Sequence, residues 1–268
     1  MDRKKVSVLD ILSSKGKKKI TMVTCYDALS ASLINETDMD MVLVGDSVGN
    51  VMMGYSSTIK VTLDDMVHYT SCVSRGLKYP LLVADLPFMS YKKSVSQALD
   101  SSARLIQEGG ATAVKLEGGV EVSPMVKAIS SCGIPVVAHV GFTPQSIHSL
   151  GGFKVQGKTE EKIKKLKEDV LALEEAGAFC VVLELMPAEV ASELTSILQI
   201  PTIGIGAGPG CDGQVLVFHD MLGYNPGFKP KFLKTYANLS STIVEALNSY
   251  CREVREQIFP SAEHSYKI

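Results

Sequence analysis

Short runs of Val, Ile, Leu and Ala recur along the chain, each closing on a polar residue or a glycine. They cover residues 20–24, 41–46, 81–85, 113–117, 135–139, 180–184, 202–206 and 214–219. Most are nearly continuous rather than alternating, the pattern of strands covered on both faces in a parallel sheet. Helical periodicity fills most of the gaps. Thr62 caps one helix, with Asp65 at the capping-box position and a stripe of Leu63, Met66, Val67, Thr70, Val73 and Leu77. A second carries Leu99, Ala103 and Ile106 on one face and stops at Gly109-Gly110. Ser123-Pro124 opens a third, which Gly133 ends. Thr159 caps a fourth, with Ile163, Leu166, Val170 and Leu173 facing inward up to Gly177, and Pro187 opens a fifth through Val190, Leu194 and Ile197.

Strand and helix alternating in this way over 268 residues predict an α/β fold, a (β/α)₈ TIM barrel, as a single domain spanning residues 1–268. A short helix at 6–12 precedes the first strand and is expected to plug the lower end of the barrel. The tail, 231–257, reads as C-terminal helix packed on the outside. One corner strains the pattern. Only residues 207–213 separate the last two strands, fewer than the dozen a parallel crossover normally takes. Either the helix there is vestigial or one strand is misplaced.

Composition narrows the class. Hydrophobic residues make up 46% and charged residues 21% of the chain, which excludes a disordered or fibrous protein. Twenty-seven Lys and Arg against 29 Asp and Glu argue against nucleic acid or an anionic membrane as partner. No apolar run is long enough to span a bilayer, and Asp10 interrupts any signal-peptide core. The basic run at 15–19 reads as a solvated loop. Cysteines 25, 72, 132, 180, 211 and 251 contain no C-x-x-C pair and read as reduced thiols of a cytoplasmic protein.

Chemistry gathers at the carboxyl ends of the runs. The second ends in Asp46-Ser47, the third in Asp85, the fourth in Lys115 and Glu117, the fifth in His139 and the sixth in Glu184. Residues two apart share a face, so Lys115 and Glu117 point the same way while Val114 and Leu116 face the helices. One acid ending a strand is commonly a surface ion pair. Acids at the same end of consecutive strands mark the rim where barrel enzymes hold their chemistry. Four carboxylates buried together need a cation, and oxygen donors without a matching Cys/His set favour Mg²⁺ over Zn²⁺. The rim alone leaves open a lyase or mutase acting on a phosphonate or 2-oxo acid, or a barrel that binds a metabolite without turnover. Gly204 to Gly210 lacks the Lys-Ser/Thr of a P-loop and reads as a tight turn. His148 lies in residues 148–158, a candidate lid; His68, within a helix, and His219-Asp220, ending the last strand, read as structural.

Eight stretches carry a resemblance: Thr-Cys-Tyr-Asp at 24–27, Val-Gly-Asp-Ser-Val-Gly-Asn at 44–50, Gly-Tyr-Ser-Ser-Thr at 54–58 and Ala-Asp-Leu-Pro-Phe at 84–88. The others are Val-Lys-Leu-Glu-Gly-Gly at 114–119, Ala-His-Val-Gly-Phe-Thr-Pro-Gln at 138–145, Gly-Gly-Phe-Lys-Val-Gln-Gly at 151–157 and Ile-Gly-Ile-Gly-Ala-Gly at 203–208. In order and spacing the chain resembles the ketopantoate hydroxymethyltransferase (3-methyl-2-oxobutanoate hydroxymethyltransferase) family. The resemblance implies a Mg²⁺-dependent homodecamer of (β/α)₈ barrels. It implies transfer of a one-carbon unit from 5,10-methylenetetrahydrofolate to 3-methyl-2-oxobutanoate through an enolate, giving 2-dehydropantoate towards pantothenate and coenzyme A. Residue by residue, it places metal ligands at Asp46, Asp85 and Glu117. Keto-acid contacts fall at Asp46, Ser47, Asp85 and Lys115 with His139 nearby, and the general base falls at Glu184.

Overall fold

The structure is a computed structural model and describes residues 3–268. Eight parallel strands close into a barrel in chain order. They are β1 Ile20–Thr24, β2 Met41–Val44, β3 Leu81–Asp85, β4 Ala113–Glu117, β5 Val136–Gly141, β6 Cys180–Glu184, β7 Thr202–Ile205 and β8 Gly213–Leu216. The helices are α1 Val8–Ser13, α2 Ala28–Ile34, α3 Val48–Val51, α4 Leu63–Gly76, α5 Val95–Gln107, α6 Ser123–Ser131, α7 Ile147–Leu150, α8 Glu160–Glu175, α9 Ala188–Ile197, α10 Phe218–Met221 and α11 Leu239–Arg255. The chain divides into two compact units, one ending at Val217 and the other Phe218–Ile268.

The strand period of two decides what fills the barrel. Ile20 and Met22, Met41 and Leu43, Leu81 and Val83, Ala113, Val137, Cys180 and Val182, Ile203 and Val215 form one buried apolar cluster. The expected N-terminal plug is there. Ile11 of α1 is buried in this cluster, and Val6, Val8 and Leu12 pack against it. A reciprocal Ser7–Asp10 capping box starts α1, and the Val6 N–H donates to the Tyr79 carbonyl just ahead of β3.

Several boundaries depart from the sequence pattern. β2 stops at Val44, because Gly45 to Ser47 turn into α3, and β8 stops at Leu216, so His219 and Asp220 lie in α10 and do not end a strand. The α5 stripe is rotated. Ala98, Ser101, Ser102 and Leu105 are buried, whereas Leu99, Ala103 and Ile106 are only half-buried. Small side chains let α5 approach its neighbours closely, and the buried hydroxyls are satisfied: Ser101 Oγ donates to the Ser90 carbonyl and Ser102 Oγ to the Ala98 carbonyl. Residues 206–212 connect β7 to β8 without a helix, so the crossover is a loop. Gly208 in that loop has φ +75°, where a Cβ would lie 2.4 Å from the Ala188 Cβ, and its carbonyl accepts from Gln214 Nε2. The glycine stretch is thus a tight turn entering a strand.

The basic run is tied down more than a solvated loop would be. Lys15 Nζ donates to Asp212 Oδ2 and the Thr195 carbonyl, Lys18 pairs with Asp40, and Lys19 Nζ donates to the Cys211 carbonyl. In the second unit, Tyr236 and Leu239 donate backbone N–H groups to the Met221 and Leu222 carbonyls. The helix expected over 231–257 begins only at Leu239, because the chain before it bonds instead to a turn and to residues 221 and 222: the Leu233 N–H donates to the Pro230 carbonyl and the Tyr236 N–H to the Met221 carbonyl.

Candidate active site

At the carboxyl ends of the strands the inward-facing series turns from apolar to charged. Asp85 continues Leu81 and Val83, Lys115 and Glu117 continue Ala113, His139 continues Val137, and Glu184 continues Cys180 and Val182. Strand register sets Asp85 opposite Lys115 and Glu117 opposite His139. Asp46 and Ser47 join from the turn after β2. Gly45 keeps that turn tight, since a Cβ there would lie 2.9 Å from Ser47 Oγ. The Asp46 N–H donates to Asp85 Oδ2 at 3.0 Å.

The six predicted charged residues form one connected cluster. Lys115 Nζ lies 2.8 Å from Asp85 Oδ1 and 3.3 Å from His139 Nδ1. His139 Nδ1 is also 3.4 Å from Glu117 Oε1, and its Nε2 is 3.1 Å from Glu184 Oε2. Asp46, Asp85, Lys115, Glu117 and His139 are all buried, whereas the Glu184 side chain keeps 17% of its surface exposed. Ser47 Oγ shares a 2.8 Å hydrogen bond with the Tyr26 hydroxyl.

Burial dominates the electrostatics. Desolvation, then the Glu117 and Asp85 charges, raise the Asp46 carboxyl well above the usual range, against partial relief from Lys115 and Gln145. Desolvation also raises Asp85 despite Lys115. For Glu117 the penalty of burial is outweighed by His139, Lys115 and the Gln145 N–H, so its carboxyl is lowered. Burial and the Lys115 charge pull His139 down, but bonds to Glu117 and Glu184 outweigh them and lift it to about 9. Lys115 is raised in spite of burial by the Asp85, Glu117 and Asp46 charges.

With every group ionised, four carboxylates would face two cations, Lys115 and His139, leaving a surplus that one divalent cation would balance. All the acidic donors are hard oxygens, the set that suits Mg²⁺. Among the described residues, no three His, Cys, Asp or Glu side chains make a ligand set by themselves. Mg²⁺ completes its shell with water and substrate oxygens, so side chains need not close a site by themselves. The residues present fit such an ion.

Two residues of the site lie outside the strand-end pattern. Gln145, in the turn after β5, donates from Nε2 to Asp46 Oδ2 at 2.9 Å and from its backbone N–H to Glu117 Oε2 at 3.0 Å. Tyr91, in the loop after β3, sets its hydroxyl 2.7 Å from the Glu117 carbonyl and 2.9 Å from Gln145 Oε1, two acceptors that share its one proton. Gln145 closes one of the quoted motifs and could have been found there; Tyr91 carries no such signal. His148 and residues 148–158 rise from α7 on the same rim, where exposed Phe153 stacks on buried Phe142 with centroids 4.9 Å apart.

A closed (β/α)₈ barrel whose strand ends bury an acid, lysine and histidine cluster defines a barrel enzyme. The ketopantoate hydroxymethyltransferase family model matches residues 5–262. The 3-methyl-2-oxobutanoate hydroxymethyltransferase of Thermoanaerobacter sp. (strain X514) is 52% identical, covering 98% of this chain and 97% of its own. That of Clostridium novyi (strain NT) is 54% identical, covering 94% and 91%. The chain belongs to the ketopantoate hydroxymethyltransferase family and is a transferase. Among solved structures, a putative phosphonomutase from Burkholderia cenocepacia J2315 superposes with TM-score 0.63 at 14% identity, covering 93% of this chain and 98% of its own, a likeness of fold.

Proposed function

We propose that this rim transfers a one-carbon unit from 5,10-methylenetetrahydrofolate to 3-methyl-2-oxobutanoate, giving 2-dehydropantoate and tetrahydrofolate in pantothenate and coenzyme A biosynthesis. The observation that carries the reading is the connected Asp46, Asp85, Lys115, Glu117, His139 and Glu184 cluster in a chain whose relatives are named as 3-methyl-2-oxobutanoate hydroxymethyltransferases. Asp46, Asp85 and Glu117 would hold Mg²⁺, which when bound supplies Lewis-acid stabilisation of the enolate.

The chain's own groups do the rest. Lys115 holds the substrate carboxylate or the developing oxyanion, with Asp46, Ser47, Asp85 and His139 completing the pocket around the 2-oxo acid. Glu184 takes the C3 proton. Its side chain is the most accessible of the cluster, and the His139 Nε2 contact orients the carboxylate. The electron pair left at C3 forms the bond to the folate methylene carbon as one of its two C–N bonds breaks; water then supplies the hydroxyl as the second C–N bond breaks, and the released folate nitrogens take up two protons, the one held by Glu184 and one from that water. Residues 148–158 would exclude solvent during transfer.

The assembly is read as a homodecamer in the cytoplasm. Exposed Leu29 and Leu33 on α2, and Val244, Leu247 and Tyr250 on α11, supply apolar surface that subunit contacts would cover. No helix among the described residues is long and apolar enough to cross a membrane.

Proton NMR in D₂O tests the chemistry. Loss of the C3 proton of 3-methyl-2-oxobutanoate is expected with Mg²⁺ and abolished by EDTA, and added methylenetetrahydrofolate then tests transfer. No exchange, with or without tetrahydrofolate, would overturn the reading.

A further inference from the structure

We infer that Gln145, locked by Tyr91, is a positioning residue that presets Asp46 and Glu117 for a divalent cation. The inference rests on the cation-binding part of the reading above. The Gln145 amide has no freedom left. Its Nε2 donates to both Asp46 Oδ2 at 2.9 Å and the Leu86 carbonyl at 3.0 Å, while its Oε1 accepts from the Tyr91 hydroxyl at 2.9 Å. Turning the amide over would set Oε1 against two acceptors, Asp46 Oδ2 and the Leu86 carbonyl, so one orientation is fixed. Tyr91 is fixed in turn. It is fully buried, its hydroxyl reaches the Glu117 carbonyl at 2.7 Å and accepts the Glu117 N–H at 3.1 Å.

The pair ties four segments together by side-chain hydrogen bonds. Leu86 and Tyr91 belong to the loop after β3, Glu117 ends β4, Gln145 follows β5, and Asp46 follows β2. Two carboxylates buried beside one another repel and would swing apart. Gln145 offers each a neutral donor, its side chain to Asp46 and its backbone N–H to Glu117 Oε2. A neutral donor holds an acid in place without competing as a cation, which an Arg or Lys at this position would do. Outer partners of this kind orient metal-ligating carboxylates and tune affinity.

The test is Mn²⁺ binding to the full-length protein, followed by the EPR signal of the free ion, in wild type, Gln145→Ala, Gln145→Met, Tyr91→Phe and the Gln145→Ala/Tyr91→Phe double variant. Gln145→Met keeps the length of the side chain and removes its donors, so it decides if the alanine variant fails to fold. Each Gln145 variant is expected to bind Mn²⁺ about tenfold more weakly. Tyr91→Phe is expected to lose about threefold. The double variant should match Gln145→Ala within about twofold, because Tyr91 acts through Gln145. Raised Mn²⁺ should restore the C3 exchange rate, placing the defect in ion affinity rather than in kcat. A merely structural role would lower the melting temperature and leave ion affinity of the folded protein unchanged. Wild-type binding with unchanged affinity in the Gln145 variants, or losses that multiply in the double variant, overturns this inference alone. Absence of Mn²⁺ binding by the wild type overturns the cation reading and the inference together.

Discussion

Lys115 shows how far one side chain at the rim can be pulled by its surroundings: burial alone would discharge it, yet the Asp85, Glu117 and Asp46 charges hold its proton more firmly than water does. The same reciprocity makes each acid of the cluster consequential. Asp46→Ala or Asp85→Ala is expected to abolish Mg²⁺-dependent activity, measured as C3 exchange; normal turnover in either variant would remove that residue from the metal assignment. Glu184→Gln is expected to retain 2-oxo acid binding by calorimetry while exchange falls by about a hundredfold or more. Unchanged exchange there would place the base elsewhere. Asp85, Lys115, Glu117, His139 and Glu184 were legible in the sequence because a period of two carries them to one face. Tyr91 was not, because it reaches the site from within a loop, where no periodicity announces the direction of a side chain.

Elements were legible where apolar residues do the packing and less so where small ones do. All eight strands overlap the continuous apolar runs that predicted them, since a strand covered on both faces has no polar side to interrupt the run, although β2 and β8 end earlier than those runs. In α5 the larger apolar residues misled. Ser101 and Ser102 are buried instead of Leu99 and Ala103, because close approach favours small side chains and their hydroxyls find backbone carbonyls nearby. Chemical denaturation of two variants checks the rotated face. Leu105→Ala, at a fully buried position, is expected to cost about 2–5 kcal/mol, and Leu99→Ala clearly less. Equal losses would restore the stripe that the sequence pattern suggested. The last connection was half legible: its shortness showed, but only the structure shows that a glycine-rich loop alone carries residues 206–212 from β7 to β8.

At the scale of the barrel unit, the end opposite the rim is closed by residues far apart in sequence. Asp212 accepts from Lys15 Nζ at 2.8 Å, from the Thr202 N–H at 2.9 Å and from the Gly16 N–H at 3.3 Å. Burial would raise this carboxyl, but the Lys15 and Thr202 bonds outweigh it and hold it below the ordinary carboxylate value. A lowered folded-state value means that the carboxylate stabilises the fold above about pH 4 and that the gain is lost as pH falls through that value and on through its own. Asp212→Asn is therefore expected to lower stability by about 2 kcal/mol at neutral pH and to flatten the acid limb. Urea unfolding from pH 7 to 3 should show the two curves converging; a constant gap would dismiss the ion pair as the cause. The plug at this same end bears on how the chain is made. Ile11 emerges from the ribosome well before β8, yet both line one apolar interior. A nascent chain that has not yet delivered residue 216 carries an open barrel with its greasy lining bared, so its need for chaperones lasts until β8 has emerged.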